Sequence, residues 1–361
     1  MSDRVREAVL AAIRDHGPIS FAEYMEMALY GRGGFYESEH PIGEGGHFVT
    51  SPHVHPVFGS LLGRAIRSFW EALDRPPQLS IVEVGAGDGT LARHLLAALA
   101  DMAVEYTAVE RSSGARAQLV GLPVHVASGP EMVKQNVTGC VLAHELFDNL
   151  PFHRVRGTEH GPVEVCVGVG AGGLVEVEVS CDTTLFEGFP EPHLRPGQET
   201  VIQGTALRML ERIARFLGTG YVLLIDYAWR DGATPPHGYR DHRVVEDVLR
   251  DPGSADITTG VVFDALERRA GDLGLQVLGQ VSQRSALTSL GFGAWSERGR
   301  RTQVDALTRL AGREAVRAWS ERNEAALLTD PAGLGQLRWL VLATASLPQP
   351  PWLRAASELE P

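Results

Sequence analysis

Lysine is almost missing from this chain. Lys134 is the only one, so 33 basic residues are nearly all arginine, a bias that reads as genome composition rather than function. Against 45 acids they leave a formal charge of −12. That balance argues against a protein that binds nucleic acid by neutralising phosphates, unless it carries a local basic face. Cysteine is scarce as well: Cys140, Cys166 and Cys181 form no C-x-x-C pair and are odd in number. A disulfide framework is therefore not expected, and the two cysteines in strand-like runs read as buried thiols. No apolar run has the length of a membrane span, and Arg4, Arg6, Glu7 and Arg14 interrupt the first apolar stretch. Neither a secretory leader nor a membrane anchor is expected, and the location reads as cytoplasmic.

What is present is a glycine run behind an apolar one. Ile81-Val82-Glu83-Val84-Gly85-Ala86-Gly87-Asp88-Gly89-Thr90 reads as a buried strand entering a tight turn, and Leu91 to Ala100 continue as helix. Glycines allow positive φ and close approach to a ligand. The helix beyond would present free N–H groups to that ligand's negative end. A dinucleotide site needs G-x-G-x-x-G, whereas the spacing here is G-x-G-x-G with Thr90 at the third dinucleotide position and Glu83 two residues before Gly85. This E-x-G-x-G-x-G pattern resembles the S-adenosylmethionine (SAM) loop of class I methyltransferases. A second acid should then close the next strand and hold the ribose, and Glu110 stands there. A ligand-free glycine turn is the plain alternative.

The order of elements describes one elaborated α/β unit. Helices are expected over 4–15, 20–30 (capped by Ser20) and 56–73, and strands over 80–84, 104–110, 123–127, 140–143 and 221–225. Runs 275–281 and 338–344 can complete the sheet, an amphipathic helix covers 205–217, and 298–329 is helical and charged. Alternating runs at 163–167 and 175–179, split by Gly170–Gly173, predict an antiparallel hairpin inserted in the parallel frame. With the resemblance of the glycine loop, this order implies a Rossmann-like class I methyltransferase sheet with helices on both faces, an inserted β-hairpin and helical caps. Five segments are expected: a helical and loop cap (1–75), the first sheet half (76–150), the β-rich insertion (151–200), the second half with a substrate-side insertion (201–290), and C-terminal helices with the last strand (291–361).

In an open parallel sheet ligands sit beyond the carboxyl ends of the strands. There the chain carries His144-Glu145-Leu146-Phe147-Asp148-Asn149-Leu150-Pro151 and Asp226-Tyr227, with Gly46-His47-Phe48-Val49-Thr50-Ser51-Pro52-His53 upstream. With Ile19–Met25, Gly34-Phe35-Tyr36, Tyr239-Arg240-Asp241-His242 and Ala255–Thr258, these segments resemble the MidA-like methyltransferases over nearly the whole chain. That is the family of the mitochondrial complex I assembly methyltransferase. The resemblance implies SAM as cofactor, held by Thr50, Ser51, Glu83, Gly85, Ala86, Gly87, Gly89, Thr90, Leu91, Glu110 and Glu145, and arginine methylation in the best-understood relatives.

An arginine acceptor calls for carboxylates that grip a guanidinium, and Glu145 and Asp148 are the candidates, with helix capping as their plainer reading. Asp226 is a site acid or a structural acceptor for loop N–H groups, and Tyr227 walls the acceptor pocket or packs. Where relatives carry acids this chain has His47, His53 and Val201, which favours another acceptor: a small molecule or modified peptide, O- or N-methylated. His47 would be the acid–base group, or else an ordinary loop histidine. Acceptor contacts are expected from Phe48, His53, Phe147, Asn149, Tyr227 and Arg240. His53-x-His55 lacks the remaining ligands of a zinc site, so no metal is expected. A protein arginine methyltransferase and a non-catalytic assembly factor are the alternatives. A homodimer through the hairpin or the C-terminal helices is compatible with the pattern.

Overall fold

β-branched and other apolar runs bounded by glycine and proline build the centre of the molecule. In the computed structural model, which describes residues 2–37, 50–190, 192–229, 236–240 and 243–360, the central sheet has seven strands among the described residues. They are β1 (Leu79–Val84), β2 (Val104–Val109), β3 (His125–Ala127), β4 (Val137–His144), β5 (Leu217–Asp226), β6 (Leu275–Ser282) and β7 (Arg338–Thr344). Their order is β6-β7-β5-β4-β1-β2-β3. Pairs from β5 to β3 are parallel, and β7 lies antiparallel to both β5 and β6. Successive strand residues face opposite sides. Ile81, Leu142, Leu223 and Val341 pack with the helix Val57–Ala72 on one face. Val82, Val141, Val222 and Leu342 pack on the other with the helices Gly204–Phe216 and Phe263–Asp272. Both faces are thus covered, as a parallel sheet requires.

The chain leaves β3 and crosses to β4 on the far side of β1. The strand order reverses there, and a crevice opens above the carboxyl ends of β1 and β4. The N-terminal segment roofs it. Ser20 caps the helix Phe21–Tyr30 by accepting the Glu23 N–H at 3.1 Å, as its position three residues before a glutamate predicts.

The hairpin expected at 163–179 forms, with Gly170 paired to Gly173, yet it is not part of the parallel frame. Gly161–Gly170 and Gly173–Ser180 belong to a separate five-stranded antiparallel sheet with His153–Thr158, Glu199–Ile202 and Ile19–Ser20. A third, small sheet joins Arg243–Val245, His237–Arg240 and Asp256–Thr258. Arg154 and Arg156 hide the second sheet from a hydrophobicity reading. Both point across their strand to Glu176 and Glu199, so charges stand where alternation leads one to expect apolar groups.

Near the start of β4 and β5 the backbones approach more closely than side chains allow. A Cβ on Gly139 would lie 1.9 Å from the Ser80 carbonyl oxygen, and one on Gly220 would lie 2.0 Å from that of Gly139. Gly139→Ala should therefore destabilise the protein by about 2–3 kcal/mol through overpacking, read as a lower denaturant midpoint with an unchanged slope.

Candidate active site

The turn after β4 is shaped by an acid on the neighbouring strand. Asp226 ends β5 fully buried, and its Oδ2 accepts the N–H groups of Leu146 (3.2 Å), Phe147 (2.8 Å) and Asp148 (3.3 Å). Its Oδ1 accepts the Tyr227 N–H at 2.8 Å. A carboxylate collecting four amides folds the chain sharply back, and Glu145 at the bend takes φ +47°. A non-glycine residue in the left-handed region costs about 1–2 kcal/mol, which these hydrogen bonds offset. The outcome is a glutamate side chain on the cavity wall directly above the sheet.

Across the crevice, Gly85, Gly87 and Gly89 have φ of +81°, +52° and +76°. Their amides do not await an anion. Gly85 and Ala86 donate to the Val109 carbonyl, Gly89 to that of Ala86, Gly87 to Glu110 Oε2 at 2.8 Å and Thr90 to Asp88 Oδ1 at 2.9 Å. The expectation of free N–H groups is thus corrected for the loop glycines and for Thr90, whose N–H Asp88 already takes. Glu110 also accepts the Ser112 N–H at 2.7 Å. Glu83 is buried and accepts the Tyr106 hydroxyl at 2.7 Å. Burial pushes its carboxyl up to about 8, partly opposed by that hydrogen bond.

The roof is bolted to both strand ends. Tyr30 donates to the Asn149 carbonyl at 3.0 Å and stacks on Tyr36, while the Arg111 guanidinium lies 4.5 Å over the Tyr30 ring and bonds Glu26. Tyr36 donates to Asp256 Oδ1 at 3.0 Å, and Asp256 also takes the Asn149 carboxamide at 2.9 and 3.0 Å. Nearer the glycine loop, His53 bridges Thr50 Oγ1 (2.8 Å) and Asp88 Oδ2 (3.0 Å). Burial opposes ionisation of Asp88, but the His53 and Thr90 hydrogen bonds outweigh it and hold the carboxyl at about 2.

These walls enclose a cavity of about 400 Å³, within the range of cofactor and substrate sites. Its sheet end is acidic. Burial pushes Glu145 up to about 8, and the nearby Asp148 and Asp256 add to the rise, with the Ser51 N–H at 3.3 Å opposing it. Asp148 is raised well above the carboxylate range by burial, then by Asp226 and Asp256; its Oδ2 accepts Thr258 Oγ1, and its Oδ1 is buried without a partner among the described residues. Burial raises Asp256 to about 6. His144 Nε2 is 3.4 Å from Glu145 Oε1, but this is no ion pair: burial drives the imidazole down to about 3 and so keeps it neutral, and that nitrogen has no hydrogen-bond partner among the described residues.

Of the residues expected at the site, Thr50, His53, Glu83, Gly85, Ala86, Gly87, Leu91, Glu110, Glu145 and Asn149 line the cavity. Ser51, Gly89, Thr90 and Asp148 stand just behind it. Phe147 faces the core instead, 1% exposed, because Asp226 turns its segment inward. Tyr227 does not line the cavity, and Arg240 is held away from it by Ser254 and Asp251. His47 and Phe48 lie outside the described residues. Tyr30, Tyr36, His144 and Asp256 were not singled out from the sequence, although His144 carried a signal in its place at a strand end, and Tyr36 and Asp256 in the family-like segments that contain them.

Comparison with known proteins agrees with this frame. A family model described as an S-adenosyl-L-methionine-dependent methyltransferase matches residues 61–281, and the chain belongs to that family. More narrowly, it is 32% identical over 317 residues to protein arginine methyltransferase NDUFAF7, mitochondrial, of Danio rerio, covering 76% of this chain and 74% of that protein. The homologue from Drosophila melanogaster is 30% identical over 90% of this chain and 81% of its own length. A methyl transferase superfamily structure from Burkholderia thailandensis, bound to S-adenosyl-homocysteine, matches with TM-score 0.81 at 25% identity, covering 95% of this chain and 92% of that one. The protein is a SAM-dependent methyltransferase. The cavity fits that cofactor, since bonded loop amides and acidic walls suit a ligand with sulfonium and ammonium charges and not a pyrophosphate. No helix among the described residues is long and apolar enough to cross a membrane.

Asp226→Ala leaves several buried amides without an acceptor. It should lose at least about 3 kcal/mol of stability and, in protein that still folds, most of its methyl-transfer activity. Thermal melts and initial rates measured on the same preparation check both.

Proposed function

We propose that this enzyme methylates a nitrogen of an arginine guanidinium in a protein or peptide, with Glu145 as the carboxylate that grips it. The supporting observation is Glu145 on the cavity wall, with a neutral histidine beside it and the buried Asp148, Asp226 and Asp256 behind it. A planar cation relieves this crowding of like charges, whereas a neutral acceptor does not. The printed names of the relatives point the same way. Two of the three acids missing relative to the family bear little on this end. Val201 is buried in the antiparallel sheet and lines no part of the cavity, and His53 is engaged by Asp88. The small-molecule acceptor therefore becomes the second reading.

The bound cofactor supplies a methyl group on a positively charged sulfur, an electrophile that needs alignment more than activation. Glu110 would hold the ribose hydroxyls, and Glu83 and the loop at 85–89 the amino-acid end. Glu145 would fix one guanidinium nitrogen in line behind the methyl group, localise positive charge on the others and take the proton that leaves as the C–N bond forms. Tyr30, Tyr36 and the turn at 50–53 keep water out of the crevice.

Two outcomes are expected. Glu145→Gln should lower kcat/KM for an arginine peptide by about a hundredfold or more while cofactor affinity stays within about threefold. Because the Glu145 carboxyl is protonated below about 8 in the free enzyme, and a guanidinium binds its charged form, kcat/KM should rise with pH and level off above about 8. Transfer of labelled methyl groups from SAM to the small-molecule fraction of a lysate, with none to protein, would refute the arginine reading.

A further inference from the structure

Gln283 is a polar residue that the chemistry above does not use, and it is 0% exposed. It opens the helix Gln283–Ser289 directly after β6, on the opposite side of the chain from the cofactor loop in sequence. A carboxamide in an apolar cluster is costly unless both of its ends are bonded. Here Nε2 donates to the Leu328 carbonyl at 3.0 Å, and Oε1 accepts the Trp339 indole N–H at 3.3 Å. Two partners from the C-terminal part of the chain thus fix the side chain. The remaining Nε2 hydrogen reaches Ser51 Oγ at 3.1 Å, 232 residues away in sequence. Ser51 is also fully buried, and its N–H is the one that Glu145 Oε1 accepts at 3.3 Å.

We infer that Gln283 is a positioning residue for methyl transfer: it pins Ser51, and through the Ser51 amide it sets the place of Glu145. The inference rests on the reading of Glu145 as the acceptor carboxylate. One residue away in the same turn, His53 is clasped to Asp88, so the segment 50–53 is held at both the cofactor loop and the acceptor acid. A turn fixed only by His53 would be free to pivot about that clasp. Gln283 removes the pivot.

The charged and titratable groups that face Glu145 are His144, Asp148, Asp226, Tyr227 and Asp256. Asp148 and Asp256 raise its carboxyl, and the Ser51 amide opposes them. Loss of that amide bond therefore raises the Glu145 carboxyl further and moves the acid limb of the rate profile to higher pH.

The test uses full-length enzyme carrying Gln283→Leu, which removes the polar atoms and keeps the bulk. On an arginine peptide kcat/KM should fall by about tenfold to a hundredfold, SAM affinity should stay within about threefold, and the acid limb should move up by about one pH unit. In a Glu145→Gln background the substitution should cost nothing further, because the two act as one unit. Leu266→Ala, a core truncation on the other face of the sheet, serves as the stability control. If Gln283→Leu loses activity only in step with that control, with the limb unmoved, the inference is overturned. Should the wild-type enzyme methylate no arginine peptide, the acceptor reading fails by itself. Hydrogen exchange at residues 50–54 then decides the positioning role: exchange at least about tenfold faster in Gln283→Leu supports it, and unchanged exchange overturns it.

Discussion

The site depends on one buried carboxylate that does not itself line the cavity. Asp226 gathers the amides of residues 146–148 and of Tyr227, and this converts the end of a parallel strand into a bend. Without it the backbone beyond His144 has no reason to reverse, and Glu145 has no reason to accept a left-handed conformation. Phe147 and Asp148 are drawn inward by the same bonds, while Glu145 is turned out toward the crevice. The cavity wall at Glu145 is thus set by hydrogen bonding to a second strand rather than by a preference of the turn's own residues.

A second constraint is electrostatic. Glu145, Asp148, Asp226 and Asp256 cluster at one end of a crevice with Glu83 buried across it, and each is raised by its surroundings. Burying like charges together works against folding unless protons or hydrogen bonds neutralise them. The protein uses both devices, holding Asp256 with Tyr36 and Asn149 and keeping the Glu145 carboxyl largely protonated near neutral pH. Ligands that bring positive charge then complete a balance that the protein alone leaves unfinished. The strain at Glu145 and the crowding of acids reside in the same few residues, as expected where structure is subordinated to function.

Much of this was legible in the sequence. The run 81–90 announced a strand, a turn with positive-φ glycines and a helix, and Glu110 announced the end of the next strand. Apolar runs marked the core of the central sheet, since its strands are buried on both faces and need no alternation. The antiparallel sheet was read only as a hairpin, because Arg154 and Arg156 satisfy their charge on Glu176 and Glu199 across the strands, a pairing invisible along the chain. The small sheet containing Asp256 escaped for a simpler reason: three- and four-residue strands carry too little pattern. Phe147 looked like a pocket residue from its motif, yet the Asp226 bonds turn it into the core. Tyr36, Asp256 and Gln283 act through contacts more than 100 residues distant, as in Asn149–Asp256 at 107 and Ser51–Gln283 at 232, and no local pattern encodes those.

That reach has a consequence for how the molecule comes into being. The helix Phe21–Tyr30 and the turn at 50–53 leave the ribosome well before their fastenings, Asp256, Gln283, Leu328 and Trp339. A chain emerging from its N-terminus can close the glycine loop on β2 early, since those contacts are short in sequence. It cannot shut the crevice until residue 339 has followed, because the roof's fastenings lie that far along the chain.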